Sequence, residues 1–175
     1  PVKLWENGVE VETGNELVVQ GCKFPDNLDK YDVNNYAQYG GEHYSCDLMY
    51  DKMVKFVEDN ASSPFFVMWT TTVPHSAVQA PLDEVMHYVD KLGDEEPCTA
   101  PGMYLPNRYP HATYAAMVTH IDRQVGALVQ KLKDLGIWEN TIFIVTSDNG
   151  PASNGNSPME YFQSGGPFKC GKGWG

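Results

Sequence analysis

The chain has 175 residues, 42% of them hydrophobic, with 23 Asp and Glu against 12 Lys and Arg for a net charge of −11. That balance fits one globular domain and excludes a disordered or collagen-like chain. Without a basic run it also argues against a nucleic-acid partner, whose phosphates need clustered Lys and Arg.

In chain order, Asn7-Gly8 between Leu4-Trp5 and Val9-Glu10-Val11 predicts a β-hairpin. Residues 21–43 are polar, with Pro25-Asp26-Asn27 and Gly40-Gly41, and read as loop. From Asp47 to Asp59 the apolar residues Met49, Met53, Val54, Phe56 and Val57 fall at helical spacing, with Ser45 as the expected N-cap. The longest apolar run, Pro64 to Trp69, is far short of the roughly 20 residues of a membrane span. It predicts a strand covered on both faces. A short helix is expected around Leu82–Leu92. A long one follows, its buried face marked by Tyr114, Met117, Val118, Ile121, Val125, Leu128, Leu132 and Leu135, with Gly136 ending it. Ile142 to Val145 predicts a second buried strand, and residues 150–175 form a Gly-, Pro- and Ser-rich tail. Strand, loop, helix and strand recur, so the expected fold class is α/β, a largely parallel mixed sheet flanked by helices. Ligands in such sheets sit beyond the carboxyl ends of the strands.

His75 and Asp148-Asn149 occupy such positions. In Ser147-Asp148-Asn149-Gly150-Pro151 a carboxylate and an amide carbonyl offer two hard oxygens suited to Ca²⁺ or Mg²⁺, although the same residues also make an ordinary turn. His75 is placed either to contact an anionic substrate or to cap a carbonyl. The run from Gly166 to Lys172 has the spacing of a phosphate-binding loop, but Gly173 stands where Ser or Thr would hold magnesium, so nucleotide binding is rejected. Lys172 is left as a cation in a Gly-rich loop, able to reach an anion. Lys169 is less constrained, Asp122-Arg123 reads as a solvated or intrahelical pair, and His43, His87, His111 and His120 receive no role. The cysteines at 22, 46, 98 and 170 have no zinc-site spacing and are either free thiols or bridges. Asn60-Ala61-Ser62 matches the N-glycosylation pattern. Together these favour a lysosomal or secreted location.

The succession Tyr44-Ser45-Cys46-Asp47-Leu48, Pro64 to Trp69, Pro74-His75, the long helix, Asn140 to Val145, Asp148-Asn149-Gly150-Pro151 and Cys170-Gly171-Lys172-Gly173 resembles the sulfatase family. Within it, the likeness is to the arylsulfatase A and N-acetylgalactosamine-6-sulfatase group of the alkaline-phosphatase-like superfamily. The resemblance implies hydrolysis of sulfate esters of small molecules or glycans. It implies Asp148 and Asn149 as ligands of one Ca²⁺, and His75 and Lys172 as catalytic residues contacting the sulfate.

It also implies a formylglycine nucleophile made from Cys or Ser in a C/S-x-P-x-R motif. Cys22-Lys23-Phe24-Pro25-Asp26, Cys98-Thr99-Ala100-Pro101-Gly102 and Ser62-Ser63-Pro64-Phe65-Phe66 all fail that motif. The expectation is that residues 1–175 are the central-to-C-terminal part of one catalytic domain, truncated at both ends. The nucleophile and the remaining calcium ligands would lie upstream, and the isolated piece would be inactive and prone to oligomerise. A phosphoesterase or phosphonate hydrolase on the same scaffold, and a non-catalytic protein binding sulfated glycans, are the alternatives.

Overall fold

A computed structural model describes residues 2–16, 23–99, 104–153 and 157–173. Strands β1 (Lys3–Glu6) and β2 (Val9–Glu12) pair antiparallel, with Lys3 opposite Glu12 and Glu6 opposite Val9. Asn7 and Gly8 turn the chain with positive φ of 53° and 79°, the conformation that a two-residue hairpin loop demands. The loop expected over 21–43 contains one short 3₁₀ turn, Val33–Tyr39, capped by the Asp32 carboxylate on the Asn34 N–H. Phe24, Tyr36 and Tyr39 bury together under it.

Three helices build the core: α1 (Ser45–Asn60), α2 (Leu82–Leu92) and α3 (Pro110–Asp134). α1 falls where its apolar spacing predicts, and α2 where the short helix is expected. The expected N-cap at Ser45 is corrected: Ser45 is already the first helical residue, and Tyr44 precedes it without a side-chain cap. α3 starts four residues before Tyr114, at Pro110, whose missing N–H costs nothing in a first turn. Two N–H groups of that turn are capped by Glu95, which accepts from His111 N (2.8 Å) and Ala112 N (3.0 Å). Gly136, at φ +72°, ends α3 as expected, its N–H bonded to the Lys133 carbonyl.

α3 is the shared wall. Ala112 and Ala116 are fully buried against Val85 of α2, their small side chains allowing close approach. Leu128 and Leu132 pack against Met53 and Val57 of α1. Each such side chain taken from water contributes about 1.5–3 kcal/mol. A polar cluster ties the three helices. Buried His120 faces Asp47 of α1 through Nε2 (2.8 Å) and Glu84 of α2 through Nδ1 (3.0 Å), while Tyr44 packs edge-on to its ring. Burial pushes the Tyr44 phenol well above its ordinary range, with Cys46 and Asp47 adding to the effect. The expectation of a solvated or intrahelical Asp122-Arg123 pair is corrected, because Arg123 binds Glu84 of α2 at 2.5 Å.

The two apolar runs depart from expectation. Residues 64–70 and 141–144 alternate covered and exposed side chains with the period of a strand, yet neither run enters a ladder. Phe65, Val67, Trp69 and Phe143 pack on the α1–α3 layer. The alternate residues Phe66 (83%), Met68 (76%), Ile142 (92%) and Ile144 (78%) are exposed. The reading of strands covered on both faces is therefore corrected to one covered face. The helices supply one layer, and nothing among the described residues lies on the other side. Among those residues the only sheet is the antiparallel hairpin, so the expected parallel sheet is not formed by them. No described helix is long and apolar enough to cross a membrane.

Candidate active site

Three loops carry the residues singled out in the sequence. The first follows the run 64–70. Val73 and Val78 are buried beside Cys46 and Met117, so both ends of the intervening turn are anchored and His75 stands exposed between them. The turn is closed by His75 N on the Thr72 carbonyl (2.8 Å). Further hold comes from Tyr44 Oη on the Gln79 carbonyl (3.0 Å) and Asn107 Nδ2 on the Val78 carbonyl (2.7 Å). His75 Nδ1 lies 2.7 Å from the Ser76 carbonyl, which can only accept, so Nδ1 carries the hydrogen and Nε2 presents its lone pair. Tyr104 packs edge-on against the ring at 6.0 Å.

The second loop follows the run 141–145. Ser147 Oγ donates to the Asn149 carbonyl and Asn149 Nδ2 to the Gly150 carbonyl, both at 2.8 Å. That leaves the amide oxygen of Asn149 free. The Asp148 carboxylate is exposed and makes no hydrogen bond or ion pair among the described residues. The donor chemistry therefore fits a hard divalent cation: a carboxylate and an amide oxygen in one tight turn, both unengaged among the described residues. No group of three or more His, Cys, Asp or Glu side chains able to hold a metal occurs among the described residues.

The third loop bears Lys172. His111 stacks on Tyr161 at 3.9 Å and Tyr114 on Phe162 at 5.5 Å, so the start of α3 positions the segment leading into it. Turns then bond Ser164 N to the Met159 carbonyl and Phe168 N to the Gly165 carbonyl, both at 3.0 Å. The second and third loops meet backbone to backbone, with Lys172 N on the Pro151 carbonyl at 2.8 Å. Gly171 makes this contact feasible, because any Cβ there would lie 2.5 Å from that same carbonyl oxygen. Lys172 Nζ then reaches to 3.3 Å from His75 Nε2.

His75 and Lys172, 97 residues apart, are thus in hydrogen-bond reach, and the Asp148–Asn149 turn is tied to the Lys172 loop. Of the other residues read from the sequence, Asn60 ends α1 with its Nδ2 on the Phe56 carbonyl (2.8 Å). Cys46 and Cys170 are free thiols, Cys98 is buried, and Cys22 lies outside the described residues. Sequence reasoning missed His111 and His120. Both hold helices and loops together, and a polar residue recurring on the apolar face of α3 was the available signal for His120.

The sulfatase family model matches residues 9–175. The chain belongs to the sulfatase family. It is 32% identical over 134 residues to N-acetylgalactosamine-6-sulfatase of Mus musculus, covering 75% of this chain and 21% of that protein. It is 30% identical over 118 residues to bis(5'-adenosyl)-triphosphatase ENPP4 of Pongo abelii, covering 54% of this chain and 25% of that one. A crystallised chain, Ps i-CgsB in complex with k-i-k-neocarrahexaose, superposes with a TM-score of 0.52 at 28% identity over 67% of this chain and 23% of its own. This sulfatase chain therefore spans about a fifth to a quarter of the length of these relatives.

Proposed function

We propose that the chain is part of a sulfuric ester hydrolase of the arylsulfatase type, in which His75, Lys172, Asp148 and Asn149 are this chain's share of the active site. The approach of Lys172 Nζ to His75 Nε2 carries the reading. The pair sets a fixed cation beside an imidazole whose tautomer is assigned, the combination that a sulfate ester needs at its charged oxygens and its leaving oxygen. Lys172 holds a sulfate oxygen and stabilises the charge that spreads as the S–O bond breaks. His75, exposed to solvent, takes a proton from water at Nε2, Nδ1 remaining on the Ser76 carbonyl, and gives it to the departing alkoxide.

Asp148 and Asn149 would hold one Ca²⁺, whose charge would further neutralise the sulfate. These 175 residues hold no C/S-x-P-x-R motif, so on this reading the nucleophile, a formylglycine, would be supplied from outside them. The substrate is a sulfated small molecule or glycan; the neocarrahexaose held by the structural neighbour and the name of the mouse relative support a glycan. Asn60 is a glycosylation site in a lysosomal or secreted protein.

The test is sulfate release from nitrophenyl sulfate by the intact protein and by its His75→Ala and Lys172→Ala variants. Each variant should lose about 10²–10³-fold in kcat, the scale on which single transition-state contacts act. The likeness to a triphosphatase supports a second reading, a phosphoesterase on the same scaffold. Turnover of nitrophenyl phosphate but not of the sulfate would favour it. Sulfate binding without turnover of either would leave a non-catalytic glycan-binding protein.

A further inference from the structure

A cleft of about 360 Å³ opens where the second and third loops meet, lined by Gly150, Pro151 and residues of the 164–171 stretch. Its volume is within the range of about 300–1,000 Å³ usual for small-molecule sites. Its lining adjoins the candidate active site along the chain, although His75, Asp148, Asn149 and Lys172 are not themselves among the lining residues. Gly150 and Pro151 directly follow Asp148 and Asn149, and Gly171 directly precedes Lys172.

Two lining side chains are conspicuous. Phe168 is 82% exposed, the ring of an aromatic residue left in water. Lys169 is the charged residue of the lining, and it makes no ion pair among the described residues of a chain whose net charge is −11. Carboxylates are abundant elsewhere and engage Lys3, Lys30, Lys52, Lys55 and Lys131. Lys172 points to His75, so the roles of the two lysines separate.

We infer that this cleft is a subsite for the alcohol side of the substrate, in which a sugar ring lies on Phe168 and Lys169 holds a second anionic group, a sulfate or carboxylate on that sugar or its neighbour. A sugar's C–H face needs a flat apolar platform, and an aromatic ring supplies one at little entropic cost because it has only two torsions. A compact ammonium binds an anion as a point charge and tolerates either oxyanion. Ser164 adds a hydroxyl for the ring's own hydroxyls. The inference rests on the hydrolase reading for which bond is cut, but the selectivity for doubly charged glycans is its own.

The experiment uses the intact protein with three probes: nitrophenyl sulfate, a monosulfated disaccharide, and the same disaccharide with a second sulfate on the adjoining sugar. Lys169→Gln should raise KM for the disulfated probe by about tenfold, the loss of one charge-assisted contact, and leave the other two within about twofold. Lys169→Arg should keep the preference. Phe168→Ala should raise KM for both disaccharides and spare nitrophenyl sulfate. Equal effects of Lys169→Gln on the mono- and disulfated probes, or no effect on either, overturn the subsite. Calorimetric titration of the disaccharides separates this from the hydrolase reading. A protein that turns over none of the probes but binds the disulfated one more tightly, and loses that preference with Lys169→Gln, keeps the subsite and loses the hydrolase. A protein that cleaves nitrophenyl sulfate without preferring the second sulfate does the reverse.

Discussion

Replacing Gly171 by Ala tests whether the contact between the two loops sets the position of Lys172. A Cβ at 171 would lie 2.5 Å from the Pro151 carbonyl oxygen and 3.1 Å from Met159 Sδ. The first obstacle is backbone, which cannot rotate aside as a side-chain end can. Relief to an ordinary contact moves the loops apart by about 1 Å, and a misplacement of that size costs about 10²-fold at a catalytic group. The same shift breaks the hydrogen bond from Lys172 N to the Pro151 carbonyl. Because the Lys172 loop is mostly exposed, stability should change by no more than about 1 kcal/mol. The assay is kcat/KM of the intact protein on nitrophenyl sulfate, with a thermal melt alongside. Gly171→Ala should fall about 10²-fold at nearly unchanged Tm, and Gly171→Ala combined with Lys172→Ala should be no worse than Lys172→Ala alone. Wild-type activity in Gly171→Ala, or an additive double variant, would refute the positioning argument.

Leu132, 3% exposed between α1 and α3, should cost about 3 kcal/mol as Leu132→Ala, seen as a lower urea midpoint at unchanged slope. Gly126 lies on the exposed side of α3, where an added Cβ would meet nothing within 4 Å, so Gly126→Ala should stabilise by about 0.5–1 kcal/mol in the same assay. Burial pushes the Tyr36 phenol up to about 12, from an ordinary value of 10.0. The unfolded chain then ionises first as pH rises, the native state holds more protons, and stability falls above about pH 10, by up to roughly 2 kcal/mol. Urea titrations across that range should show the slope, and Tyr36→Phe should make it shallower, with the contribution of Tyr44 remaining.

Local signals carried far in this chain. Asn7-Gly8 marked the hairpin, the apolar spacing of 47–59 marked α1, and Gly136 marked the end of α3, because each depends on a few neighbouring residues and a backbone preference. The apolar runs 64–69 and 142–145 were legible as extended but not as to what covers them. A run of apolar residues reports what would be buried if layers existed on both sides, and only packing decides whether they do.

The site divides in the same way. Residue order and type alone gave the sulfatase motifs, and with them His75, Asp148, Asn149 and Lys172 as candidates, since chemistry restricts which side chains can serve an anion or a cation. Tertiary structure decided that Lys172 reaches His75 across 97 residues, that the Ser76 carbonyl assigns the hydrogen to Nδ1, and that Gly171 lets the two loops touch. It also decided that His111 and His120 brace helices and loops. Those outcomes depend on which distant segments α3 gathers on its surface, and chain order does not encode distance.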